Sequence, residues 1–375
     1  MTASRECVVM MGGDTYIGPW SGDGPQQPDI EPSKQLEGVA PYLAEGDIVL
    51  INLEGPICVK SQPTVENRFK RPNRPLKMTP SAVETLKQVG VSAVCLANNQ
   101  TTGYGVDGLV ETFAFLEQHG IAYAGAGRNL AEARKPAIVE KDGVRLALLS
   151  YATVHHPNGS AKEKSGGVAG IRVKTAFEIS NTMLQNPGAW PRSVTTTVPE
   201  DKAMVLDDVR QAKENADLVV VGWHWGLSGH PAGEAMGIPI QWGPNIVMDY
   251  QEEMGRACVD AGADLIMGHS PHRLQGMEIY RGALITYSLG DLAFGHKLAN
   301  FGEESCIVKA YLDLQSKKFV RYNLLPIRMI PDTSTPRVYS PNEAGDIIKL
   351  LEDLSVEYGT HFETVKGEVS IMASE

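Results

Sequence analysis

Short, nearly continuous apolar runs recur along the chain at Cys7–Met11, Asp47–Asn52, Ala93–Ala97, Arg145–Tyr151, Leu218–Trp223, Asp264–Met267 and Leu284–Tyr287. Each is bounded by Gly, Asp or Asn, and near-unbroken hydrophobicity of that length predicts strands covered on both faces. Between them the apolar positions take a helical period over Lys34–Leu43, Ser81–Gln88, Val106–His119, Asp201–Asn215 and Asn245–Asp260. Pro80-Ser81 predicts a helix start, and Gly120 and Gly262 predict helix stops. Strands taking turns with helices predict a layered α/β domain with a largely parallel sheet. After Gly302 the pattern changes to two antiparallel strands, Ser305–Leu314 and Lys318–Pro326, and a last helix near Glu343–Tyr358. Residues 1–330 are read as one domain, and 331–375 as a helical extension packed on it.

Two stretches break the rhythm. Residues 60–77 hold three prolines and six basic residues against the single acid Glu66, and 158–199 is rich in Gly, Ser, Thr and Pro without a period. Loops of that length in a compact domain predict active-site lids. Within the first, Arg68, Lys70, Arg71 and Arg74 form a positive cluster suited to gripping a carboxylate, since guanidinium matches it as a two-pronged fork.

Composition narrows the classes. Of 375 residues 42% are apolar and 21% charged, a balance that buries a sizeable core. The formal charge of −11 argues against a nucleic-acid binder, whose affinity rests on surplus Lys and Arg meeting phosphates. The five apolar residues before Gly12-Gly13-Asp14 are too few for a signal-peptide core, and no run is long enough for a transmembrane helix. Five scattered cysteines with no C-x-x-C pair predict free buried thiols in a reducing compartment. The expected location is therefore the cytoplasm, without a membrane partner.

The chemistry gathers where the predicted strands end. In open α/β sheets ligands collect outside the carboxyl ends of the strands. Here those ends carry Asp14, Glu54, Asn98-Asn99-Gln100, His155-His156, His224-Trp225, His269 with His272, and Asp291 followed by His296. Asp, Glu, Asn and His without a set of cysteines suit a divalent ion such as Ca, Mn, Zn or Fe. A phosphate-binding P-loop, a G-x-S-x-G nucleophile elbow and a dinucleotide fingerprint are all missing, so no organic cofactor is expected.

These residues resemble the CapA-type capsule-synthesis family, associated with poly-γ-glutamate, within the calcineurin-like metallophosphoesterases. The resemblance rests on Gly13-Asp14, NLEGPI at 52–57, ANN and GYG within 97–105, AGAGRNLAEARKP at 124–136, HWG at 224–226, AGADLIMGHSPH at 261–272 and YSLGD at 287–291. It implies a layered β-sandwich flanked by helices, with a metal centre at the strand carboxyl ends held by Asp14, Glu54, Asn98, His224, His269 and His272. Calcium or manganese is the first expectation, with zinc or iron as alternatives. The chain departs from the family's pattern where Gln100 replaces the His of ANNH and where Asp291 replaces the Asn of SLGN.

The first departure removes the acid that protonates a leaving group in hydrolysis, while His155, His156, Asp291 and His296 supply acid/base groups beyond the metal set. Relatives within the calcineurin-like group include epimerases of lasso-peptide precursors. The leading expectation is thus a peptide epimerase, with Asp14, His155, His156, Asp291 and His296 moving protons at Cα. Its partner would be a peptide or small amide bearing a carboxylate, met by Arg68, Lys70, Arg71, Arg74, Gln100 and Trp225. The alternatives are metal-dependent hydrolysis of an amide, lactam or phosphoester, and a part in capsule or poly-γ-glutamate biosynthesis.

Overall fold

The computed structural model describes residues 6–18, 30–63, 75–156, 158–179, 181–186, 192–227, 245–294, 302–330 and 335–374. The apolar runs are strands: β1 Glu6–Tyr16, β2 Ile48–Leu53, β3 Val91–Cys95, β4 Val144–Ala152, β5 Leu218–His224, β6 Leu265–His269 and β7 Ala283–Thr286. Three follow them: β8 Asp291–Phe294, β9 Glu304–Asp313 and β10 Lys318–Ile330. Among the described residues they form two main sheets. One runs Thr360–Val365, Glu368–Ala373, β10, β9, β1, β2, β3, Ala122–Ala124, with β8 beside the end of β1. The other runs Met277–Tyr280, β7, β6, β5, β4, Ala137–Lys141.

Period-2 alternation stacks these sheets face to face. Val9, Met11, Leu50 and Cys95 of the first meet Leu146, Leu148, Val220, Leu265 and Met267 of the second in one buried cluster. The opposite residues of the same strands, such as Met10, Val49, Ile51 and Val94, pack on helices α1 (Pro80–Gln88) and α2 (Gly105–Gln118). Leu149, Val219, Val221 and Ile266 pack likewise on α3 (Pro199–Asn215) and α4 (Asp249–Ala261). The result is helix, sheet, sheet, helix: the layered α/β architecture expected of the calcineurin-like resemblance. Both sheets are mixed: β9 runs antiparallel to β1 and to β10, and in the second sheet Met277–Tyr280 and Ala137–Lys141 run antiparallel to their neighbours β7 and β4.

The structure corrects several sequence expectations. Residues 335–374 are not a helical extension: with helix α5 (Gly345–Ser355) they supply strands Thr335–Val338, Thr360–Val365 and Glu368–Ala373, which prolong the first sheet beside β10. The stretch 158–199 is not an irregular loop, since Val173–Glu178 pairs with Arg192–Thr197 as a hairpin tied to α4 by Thr195 N–H on Asp249. Its first strand is mostly exposed and its second buries threonines, Thr195 and Thr197, rather than aliphatic side chains, so no apolar alternation betrays them. Lys34–Leu43 is not one helix but falls on two four-residue helices, Pro32–Gln35 and Ala40–Leu43, joined by a turn in which Gly38 lies against the Pro336 carbonyl. Most of the basic stretch, residues 64–74, lies outside the described residues, as do Arg68, Lys70, Arg71 and Arg74.

One feature of β1 positions the site. Between Met11 and Asp14 its register against β2 slips, three residues of β1 spanning two of β2 (Met11 opposite Leu50, Asp14 opposite Asn52). Such a bulge reverses which face the following side chains take. It turns Asp14 onto the inter-sheet face that Val9 and Met11 share. The strand passes the Gly290 turn so closely that a Cβ on Gly13 would overlap the Gly290 carbonyl oxygen, which itself accepts the Asp14 N–H at 3.0 Å. Gly13→Ala is therefore expected to destabilise the fold by about 3 kcal/mol, the scale of forced overpacking, read as a lower urea midpoint at unchanged slope.

Candidate metal centre

The site is the inter-sheet face carried beyond the strands' carboxyl ends. Counting by twos, Ile48 and Leu50 lead to Asn52 and Glu54, Leu218 and Val220 to His224, and Leu265 and Met267 to His269. The parity that buries aliphatic side chains in the core delivers polar ones at its rim. All are buried: Asp14, Asn52, Asn98, His224 and His269 show no exposure, and Glu54, His272 and Asp291 at most 5%.

Asp14 stands between two donor sets. Its Oδ1 lies 3.7 Å from His224 Nδ1 and 3.8 Å from His269 Nδ1, which are 3.0 Å from each other. Its Oδ2 lies 3.6 Å from His272 Nδ1, which is 2.7 Å from Asp291 Oδ1. Glu54 Oε1 closes the group 3.7 Å from His272 Nε2. Donors bound at about 2.1 Å around one ion stand about 3.0–3.4 Å apart, so the Asp14–His224–His269 triad is near the spacing a divalent ion requires. Asp14, His272 and Asp291 form a second such triad. Glu54 Oε2, His224 Nε2 and His269 Nε2 are buried without a hydrogen-bond partner, a cost of about 1–3 kcal/mol each; an ion beside Glu54 would relieve the first, whereas the Nε2 atoms point away from the Nδ1 edges that face Asp14.

Neighbours hold the carboxylate in place. Asn52 Nδ2 donates to Asp14 Oδ1 at 2.6 Å, and the Ser270 N–H donates to Oδ2 at 2.8 Å. Ser270 and His272 both have positive φ, 102° and 55°, a backbone strain of about 1–3 kcal/mol for a non-glycine residue. Protons follow from burial. Burial pushes Asp14 up to about 6 and Glu54 well above its usual range. It drives His269 down to about 3 and His224 well below 6.5, with the facing imidazoles adding to the effect. For His272 burial acts downward, but the carboxylates of Glu54, Asp291 and Asp14 outweigh it and raise it to about 10.

Asp14, Glu54, His224, His269 and His272 thus come together. Asn98 joins them in space, but its side chain is consumed: Oδ1 accepts from Gln100 N, Thr101 N and Thr101 Oγ1, and Nδ2 donates to Asn52 and to the Leu53 carbonyl. Asn98 forms the turn and orients Asn52, leaving no lone pair aimed at the carboxylate cluster. Gln100 sits half-buried on that turn. Asp291 hydrogen-bonds His272, and His296 lies outside the described residues. His155 and His156 are half-buried at the rim, with His155 Nδ1 2.9 Å from the His156 carbonyl and its Nε2 3.3 Å from Ser160 Oγ. Trp225, expected at a substrate wall, is fully buried and stacked on Trp223 at 5.1 Å, so it touches core rather than ligand. Asn52 was not among the expected site residues. Its signal was the alternation itself, two residues before Glu54 on the same strand face.

A divalent ion held here would polarise a carbonyl or hold a carboxylate. The residues fit that role, with Asp14 shared between the two triads. Ligands must shed their protons to bind, and His272 is positively charged at neutral pH. Manganese binding is therefore expected to release at least one proton near pH 7.5, from His272 and from Glu54 so far as it is protonated, and to tighten as pH rises toward 10, read by calorimetry in buffers of different ionisation enthalpy. Asp14→Ala should weaken binding by at least about 100-fold, since it removes an oxygen from both triads.

Comparison with known proteins places this geometry in a family. The model of the bacterial capsule synthesis protein PGA_cap matches residues 8–296, so the chain belongs to that family. It is 28% identical over 301 residues to the PGA biosynthesis protein CapA of Bacillus subtilis, covering 80% of this chain and 66% of that protein. It is also 28% identical over 256 residues to the capsule biosynthesis protein CapA of Bacillus anthracis, covering 68% and 52%. A probable polyglutamine synthesis accessory protein of Mycobacterium tuberculosis is 28% identical over 297 residues, covering 76% and 66%. The chain thus spans about half to two thirds of those relatives' length. These relatives are named for capsule and polymer synthesis, not for epimerisation, and the expectation of a peptide epimerase is corrected accordingly. The surplus histidines on which it leaned do not assemble as a second proton-transfer set among the described residues: His155 and His156 are engaged within their own loop. Among the described residues no helix is long and apolar enough to cross a membrane.

Proposed function

We propose that this member of the bacterial capsule synthesis family takes part in making a polyglutamate-type capsule polymer, working through a divalent ion held at Asp14, Glu54, His224, His269, His272 and Asp291. One observation carries the reading: the family match over residues 8–296 encloses every one of these side chains. The chemistry is compatible. A polyglutamate chain offers an amide carbonyl and a carboxylate in each repeat, the class of partner expected from the sequence. The overall charge of −11 repels such a polyanion at long range. A divalent ion in the cluster would offset that repulsion locally.

In this reading the protein's own groups have separable tasks. Asn52 and the Ser270 N–H fix the Asp14 carboxylate, so that its two oxygens face different donor sets. His272 Nδ1 lies 2.7 Å from Asp291 Oδ1, sharing a proton that an ion in this triad would displace, while Nε2 lies 3.7 Å from Glu54 Oε1. The buried setting excludes water and strengthens any charge interaction made inside.

Deleting the gene in the organism of origin and measuring high-molecular-weight, acid-hydrolysable glutamate at the cell surface tests the reading. Polymer should be lost and then restored by the wild-type gene. A His224→Ala, His269→Ala double variant, expressed at the same level, should leave it at the deletion level. Undiminished polymer in the deletion strain would refute the role, and full rescue by the double variant would refute the part given to the ion.

A further inference from the structure

Beside the carboxylate–imidazole cluster stands the indole of Trp225, which follows His224 in sequence. Trp225 has no solvent exposure, yet it makes two polar contacts, each to a different loop of the site. Its backbone N–H donates to the His269 carbonyl at 3.1 Å, beyond the last paired residue of β5. Its indole Nε1–H donates to the Tyr287 carbonyl at 2.7 Å, on the turn that leads to Asp291. One residue therefore ties together the segments that carry His224, His269 and Asp291.

The anchor at the far end is rigid. Tyr287 donates its hydroxyl to Glu278 at 2.7 Å, Glu278 is held by Arg256 Nε at 2.9 Å, and Tyr358 packs on the Tyr287 ring at 5.2 Å. The turn is tight as well, for a Cβ on Gly268 would overlap the Tyr287 carbonyl oxygen. Stacking on Trp223, nearly parallel at 10°, fixes the indole plane. A Phe would fill much of this space but would leave the Tyr287 carbonyl without its buried donor.

We infer that Trp225 is a positioning residue, whose indole N–H sets the separation between the His224–His269 pair and the Tyr287–Asp291 turn, and thereby the affinity and geometry of the divalent-ion site. The inference rests on the metal-centre reading above and adds the residue that governs it from outside the ligand set. Partners that orient metal ligands typically change affinity by about 10- to 100-fold when removed.

The test uses the full chain and two replacements. Trp225→Phe keeps an aromatic ring on Trp223. Benzothienylalanine at position 225 keeps the fused bicycle and lacks only the N–H, which covers the case in which the smaller ring fails to fold. Cobalt(II) and manganese(II) affinities, the visible absorption of the cobalt form and the melting temperature of the metal-free protein are measured for each. Phe113→Leu, in the helix-facing cluster behind the first sheet, serves as a control for lost stability alone. Both replacements should weaken binding about 10- to 100-fold and shift the cobalt spectrum, while Phe113→Leu leaves both as in wild type. Wild-type affinity and spectrum in the benzothienyl protein would overturn the inference and leave the metal centre standing. A wild-type protein that takes up neither ion would instead overturn the metal centre, and the inference with it.

Discussion

The burial of one carboxylate organises this molecule. Asp14 has no solvent exposure, and a carboxylate taken out of water must find charge or hydrogen bonds or else give up its charge. The fold answers with an amide from β2, a backbone N–H from the strained Ser270–His272 turn, and imidazoles from three positions in the second sheet and its loops. These partners come from distant parts of the chain, the Ser270 contact alone linking residues 256 apart in sequence. The two sheets must be stacked in register for the cluster to exist at all.

That stacking is set by close approaches as much as by apolar area. Glycines stand where strands and turns touch: Gly13 against the Gly290 carbonyl, Gly268 against the Tyr287 carbonyl, and Gly222 against Cys95 Sγ across the sandwich. A side chain at any of these points would push apart elements that carry site residues. The segment after residue 296 lies beyond the family match, yet it completes the first sheet and brings Tyr358 onto Tyr287. The C-terminal strands and helix thus buttress the turn that presents Asp291.

The charge pattern is consistent with a centre that needs a cation. Three carboxylates, Asp14, Glu54 and Asp291, gather around one positively charged imidazole, His272, while His224 and His269 stay neutral because burial penalises their charged forms. Buried carboxyl and imidazole groups that titrate away from their ordinary ranges gather at functional sites, as they also do in structural ion-pair networks. Membership in the capsule synthesis family gives that cluster a biological setting. Several motifs that carry the family resemblance, those holding Asp14, Glu54, His224, His269, His272 and Asp291, are the strand ends that build the cluster.

By itself the sequence determined the strands and most helices, since near-continuous apolar runs and helical periods are local properties that burial reads directly. It also determined which side chains reach the site: with parity fixed by Leu50, Val220 and Met267, the residues Asn52, Glu54, His224 and His269 follow by counting in twos. Asp14 does not follow. Its parity along β1 points to the helix layer, and only the bulge after Met11, set by pairing with β2 and by the Gly290 turn, brings it into the cluster. The sequence could not separate ligand from support either. Asn98 and Trp225 stand at strand ends like the histidines, but their polar atoms are spent on a turn and on a carbonyl far away in the chain. Hydrogen-bond partners separated by tens of residues are fixed by packing, so tertiary structure alone decided which polar groups remained for an ion.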